Sequence, residues 1–139
     1  MKRLLLPFAL TLAASSCAAN ESINCDDAYT TYEMNQCAKQ DWDASTVQMQ
    51  QYLQAAVEKH EDDPELVAAI QQSQSQWQAY MQAHCGAILT QWRDGTIRGV
   101  MTLACKQQLT DDRAMQLWND FLTPMDGSDP ELPAPTINR

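Results

Sequence analysis

The chain has 139 residues, with 9 Lys+Arg against 18 Asp+Glu, two His and five Cys. That length fits one domain, and a net charge of −9 excludes a surface built to hold nucleic-acid phosphates, which needs Lys and Arg. Two isolated His and no Cys-x-x-Cys pair leave no material for a zinc ribbon or a redox motif, so neither a metal nor a cofactor is expected.

Residues 1–19 read as a secretory signal. Lys2 and Arg3 make a positive start, Leu4 to Ala14 is apolar, and small residues follow. The run is too short for a membrane span, which needs roughly 20 apolar residues. Two processing routes fit. Ala14-Ser15-Ser16-Cys17 has the form of a bacterial lipobox, with Ala14 where Leu is usual, and would leave Cys17 as an acylated N-terminus. Ordinary cleavage after Ala18 or Ala19 would discard Cys17 instead. Either route leaves Cys25, Cys37, Cys85 and Cys105, and four thiols in an oxidising compartment form two disulfides. The expected location is therefore the periplasm or, through a lipid on Cys17, the outer membrane. Loss of residues 1–16 removes Lys2 and Arg3. Seven Lys+Arg then face 18 Asp+Glu, a net charge of −11. Such a surface attracts basic partners over long range, although charge of this size also serves simply to keep an exported protein soluble.

Residues 22–122 form the folded part. Between residues 26 and 94 only Pro64 and Gly86 interrupt a helical composition. Thr30 with Glu33 makes a capping box for a first helix. Met34, Ala38, Trp42, Ser45, Met49, Tyr52 and Ala56 recur at steps of three or four along one face. This helix ends near His60, and Asp63 with Pro64 caps and starts a second. The second carries Leu66, Ile70, Ser73, Trp77, Tyr80 and His84, continued by Ile88 and Trp92. Asp94-Gly95 breaks the chain. A third helix starts near Thr96 with Ile97, Met101, Ala104 and Gln108 on one side. Thr110-Asp111-Asp112 offers a cap for a short fourth helix bearing Met115, Trp118, Phe121 and Leu122. Residues 123–139 hold four Pro and no apolar period, the pattern of a disordered tail. Short connections make neighbouring helices antiparallel. At about 1.5 Å per residue, Cys37, Cys85 and Cys105 each fall roughly 10 Å from the same end of the bundle, with Cys25 just ahead of it. The fold class expected is all-α: an antiparallel bundle of three to four helices stapled by two disulfides.

The cysteines and their companions also carry a resemblance. Cys25 and Cys37 enclose Thr31, Glu33, Met34 and Asn35. Gln74, Trp77, Tyr80 and Cys85 follow on the second helix, then Gly95-Thr96-Ile97, Met101, Cys105, Thr110, Arg113 and Leu117. Together these resemble the LprI-type lysozyme-inhibitor domain, a family of small exported bacterial helical proteins, over residues 25–117. Two features depart from it: Met81 stands where the family has Arg, and Gln48-Met49 precede Tyr52 where Leu-Asn is favoured. The resemblance implies a partner, a lysozyme-type muramidase, and inhibition rather than catalysis. A non-inhibitory envelope structural or adaptor protein is the alternative.

Candidate sites divide into exposed and structural residues. In the loop Lys59-His60-Glu61-Asp62-Asp63, the acids Glu61, Asp62 and Asp63 are the candidates for contact with a basic enzyme, against the simpler role of a solvated, capped helix connection. Helical spacing makes Trp77 and Tyr80, and likewise Trp42 and Trp118, core residues rather than a binding surface. His84 and Cys85 point about 100° apart on a helix and form no nucleophile–base pair. Asp41 with Asp43, and Asp111 with Asp112, lie too close on one helix to face across a glycosidase cleft. No catalytic residue is expected. For the disulfides, bonds from Cys25 and Cys37 to Cys85 and Cys105 are expected, because longer loops constrain the unfolded chain more.

Overall fold

The computed structural model describes residues 23–137; the segment expected to be an export signal, with Cys17, lies outside them. Within that span the chain forms a 3-10 turn at Cys25–Asp27, then α1 (Thr31–Lys59), α2 (Pro64–Gln91) and α3 (Arg98–Leu117), and a π-helical turn at Trp118–Leu122. No strand occurs among the described residues. The fold is a helical bundle with two disulfides.

The helix starts follow from local chemistry. Thr30 Oγ1 accepts from the Glu33 amide at 3.2 Å, and Glu33 Oε2 accepts from the Thr30 amide at 2.8 Å, closing the capping box. Asp63 Oδ1 accepts from the Leu66 amide at 3.0 Å, with Pro64 in the first turn, where a missing N–H costs nothing. Ile97 provides no side-chain cap for α3.

Packing follows from which residues meet. Gly99 lies against Asn35 near the starts of α3 and α1, and Lys106 Nζ sits 4.5 Å over the Trp42 ring. Lys59 Nζ then reaches the Leu122 carbonyl at 3.0 Å. Partner numbers rise together, so α1 and α3 run parallel. Antiparallel to both, α2 lies against α3 and places Gln74 against Met49 and Arg113, and Cys85 against Cys105. The apolar core joins Met49, Tyr52 and Ala56 of α1 to Ala114 and Leu117 of α3 and to Leu122. It occupies the half of the bundle nearer the α1–α2 connection. The disulfides hold the opposite half.

The disulfides join Cys25 to Cys37 and Cys85 to Cys105, with Cα separations of 5.6 and 5.7 Å. This corrects the expected pairing of Cys25 and Cys37 with Cys85 and Cys105. Loop entropy counts only the unfolded chain, whereas the native bond requires Cα atoms within about 7 Å. The 3-10 turn folds Cys25 back beside α1, and the short α2–α3 connection sets Cys85 next to Cys105. One bond therefore ties the leading turn to α1, and the other ties α2 to α3.

Two further expectations change. No fourth helix starts at Thr110. Thr110 Oγ1 donates to the Lys106 carbonyl at 2.7 Å, within an unbroken α3, so it caps nothing. The helix then widens at Trp118, where the Thr123 amide donates to the Trp118 carbonyl at 2.9 Å. The Pro-rich tail, expected to be disordered, returns to the bundle. Trp118 Nε1 donates to the Leu132 carbonyl at 2.9 Å, and Tyr52 Oη donates to the Pro133 carbonyl at 2.8 Å. Leu132 packs on the core and Pro135 is buried. Low apolar content signals that a segment cannot build its own core; it leaves open docking on another element's aromatic face.

Candidate partner-binding site

The α1–α2 connection is fixed from beneath. His60 Nε2 lies 3.1 Å from the Phe121 carbonyl, and the His60 and Phe121 rings meet edge to face at 6.4 Å. Lys59 spends its ammonium on the Leu122 carbonyl. With the two basic side chains of the connection turned toward the π-helical turn, its acids are what remains outward. Glu61, Asp62 and Asp63 are all exposed. Asp63 is held by its cap bond, whereas no hydrogen bond or ion pair engages the Glu61 or Asp62 side chain among the described residues. Glu58 and Glu65 are exposed on the adjoining turns, Asp120 lies on the π-helical turn, and Glu131 precedes the docked Leu132 beside Glu58.

Beside these acids lies a groove of about 340 Å³ between the end of α1 and the start of α2. Val57, Pro64, Val67 and Ala68 form an apolar bed, and Glu58 and Glu61 stand at its margin. Glu58 also accepts from Gln54 Nε2 at 2.7 Å. An apolar bed with carboxylates at its edge matches an extended lysine or arginine side chain, which buries its methylenes and keeps its charge at the rim. The sequence offered the acids but not the groove, because Val57, Val67 and Ala68 fall outside the main apolar stripes of their helices.

The face of α2 differs from the expected one. Ile70, Gln74, Met81 and Cys85 are buried and Trp77 is half-buried, whereas Tyr80 is 54% exposed and stacks on His84 at 5.5 Å. Trp77 packs against the core as expected; Tyr80 does not. From Ile70 and Trp77 the stripe continues equally well through Ser73, Tyr80 and His84 or through Gln74, Met81 and Cys85. The bond from Cys85 to Cys105 selects the second. Met81 therefore lies inside, 3.8 Å from Thr110 Oγ1, rather than on a binding face.

A buried polar junction sets the α2–α3 spacing. Arg113 Nε donates to Gln74 Oε1 at 3.0 Å and Nη2 to Ser73 Oγ at 2.8 Å. Burial lowers the guanidinium pKa, and the Asp120 charge opposes that effect. These are structural contacts, and Arg113 is not offered to a partner.

The remaining candidates fall into place singly. His84 is exposed beside a Cys85 whose sulfur is in a disulfide and carries no thiolate. Asp43 pairs with Lys39, Asp41 is exposed, Asp111 is buried and Asp112 half-buried on α3. No cluster of three His, Cys, Asp or Glu suited to a metal occurs among the described residues. None of the described helices is long and apolar enough to cross a membrane.

A family described as Lysozyme inhibitor LprI matches residues 23–117. No curated protein and no solved structure matches the chain. The matched span takes in both disulfides, the acidic connection and the groove beside it, and stops before the π-helical turn and the docked tail.

Proposed function

Because the chain belongs to the LprI lysozyme-inhibitor family, we propose that it is an exported envelope protein that inhibits a lysozyme-type muramidase by docking on it. The docking face is the acidic end of the bundle: Glu61 and Asp62, with Glu58, Asp63 and Glu65 around them. The observation that carries this reading is the apolar groove with carboxylates at its margin, which a basic side chain of the enzyme would enter. Inhibition is steric. The bundle covers the approach to the glycan cleft and performs no chemistry, which suits a domain whose four cysteines are held in disulfides. Complementary charge speeds encounter and is screened by salt.

Export rests on residues 1–19, and Cys17 carries the lipid in this reading. Label from a fatty-acid analogue should enter the unsubstituted chain and not Cys17→Ala; equal label in both would return the protein to the soluble periplasm. The functional test is a titration of purified muramidases with the exported protein. Lytic activity should fall with added protein, and Glu61→Gln with Asp62→Asn should require more protein for the same loss. A panel of basic muramidases that all keep full activity would leave an adaptor role as the better account.

A further inference from the structure

The tail contact has the form of a recognition event rather than of core packing. Residues 131–135 read Glu-Leu-Pro-Ala-Pro. Pro133 and Pro135 have fixed φ, and Leu132 and Ala134, each preceding a proline, are steered away from helix. The segment is therefore extended before it touches anything, and seating it loses little conformational freedom. The bundle meets it with donors at two consecutive carbonyls: Trp118 Nε1 to Leu132 at 2.9 Å and Tyr52 Oη to Pro133 at 2.8 Å. Proline-rich segments are held in the same manner by aromatic grooves elsewhere, with side-chain donors reading the carbonyls and apolar residues seated between them.

Three observations make the contact separable from the fold. The linker is exposed from Met125 to Asp129, where Ser128 bonds locally to the Asp126 carboxylate, and Gly127 turns it with a φ of 82°. Beside the seated segment a surface cleft of about 470 Å³ lies open between Leu132 and Pro133 and the α1 residues Gln51, Ala55 and Glu58, so the segment covers only part of this face. The family match ends at residue 117, so Trp118 and the tail lie outside the matched span.

We propose that the face carrying Tyr52 and Trp118 is a recognition groove for an extended leucine-proline segment, and that residues 131–135 are its ligand held in cis. The proposal does not depend on muramidase binding. A short linker gives an effective concentration in the mM range, so a segment that binds weakly as a free peptide still fills the groove in the intact chain.

The test uses the full chain with Leu132→Asp and Pro135→Asp, which leaves the tail attached but unable to seat. A fluorescently labelled peptide of residues 129–137 is followed by anisotropy. Saturable binding to this variant, with affinity at least about tenfold above that for the unsubstituted chain, is expected. Adding Tyr52→Phe should weaken it several-fold, and so should replacing both peptide prolines by Ala. A helical variant that takes up no peptide, or equal binding by the unsubstituted chain, would overturn the proposal. Loss of helical signal in the variant would also overturn it, since the tail would then be part of the core.

Discussion

Gly99→Ala probes the parallel contact of α1 and α3 that sets the whole bundle. A methyl group at Gly99 would fall inside the contact distance of Asn35 Oδ1 and 3.1 Å from its Cγ. Asn35 is not free to yield, since its Nδ2 donates to the Thr31 carbonyl at 2.8 Å. Swinging it aside gives up that bond, about 1 kcal/mol, and an off-rotamer side chain adds about 1 kcal/mol more. Alanine in place of glycine returns roughly 0.5–1 kcal/mol of helix propensity. The net loss expected is about 1–1.5 kcal/mol. In an Asn35→Ala background there is nothing to strike, and Gly99→Ala should be neutral or stabilising. Denaturant unfolding of the four proteins, disulfides intact, should then give a coupling of about 1.5–2.5 kcal/mol, within the range for touching residues. Equal costs of Gly99→Ala in both backgrounds would mean that these helix starts do not meet.

Trp77→Ala should lower stability by about 2–3 kcal/mol, less than for a fully buried Trp because Trp77 is half-buried; a variant that melts like the parent yet binds no partner would make Trp77 a surface contact. Removing the bond between Cys85 and Cys105 by paired Ala substitutions should cost about 3 kcal/mol for a loop of this length, and non-reducing peptide maps should show Cys25 with Cys37. Glu33→Gln tests the capping box through pH. Bonds from the Thr30 amide and hydroxyl and the Tyr29 amide hold the Glu33 carboxyl below its ordinary value of 4.5. A lowered folded pKa means stability that is present above pH 4.5 and lost as pH falls through the folded value. The melting difference between parent and Glu33→Gln should therefore be full at neutral pH and shrink in acid; a constant difference would contradict it.

Residues whose role is local were legible in the sequence. Thr30 with Glu33 and Asp63 with Pro64 marked two helix starts because capping needs only neighbours along the chain. The stripe Ser45, Met49, Tyr52 and Ala56 marked the core face of α1. On α3 the same method failed, because its buried residues include Thr110, Asp111 and Arg113, which no apolar period reveals. Their burial depends on partners such as Gln74 and Ser73, brought in from another helix. The acidic connection was visible as composition. The groove beside it was not, since it exists only where α1 and α2 diverge, and the docked tail was hidden because its partners Tyr52 and Trp118 lie far from it in sequence.

The association rate between the protein and a basic muramidase, measured at low and high salt, tests the proposed docking most directly. The screening length falls from about 10 Å at 0.1 M to about 3 Å at 1 M. The unsubstituted protein should therefore associate markedly more slowly at 1 M. Glu61→Gln with Asp62→Asn, retaining the Asp63 cap, should associate more slowly than the parent at low salt, with the same melting temperature and a smaller salt effect. Inhibition that proceeds at one rate regardless of salt or of these substitutions would contradict docking through the acidic end.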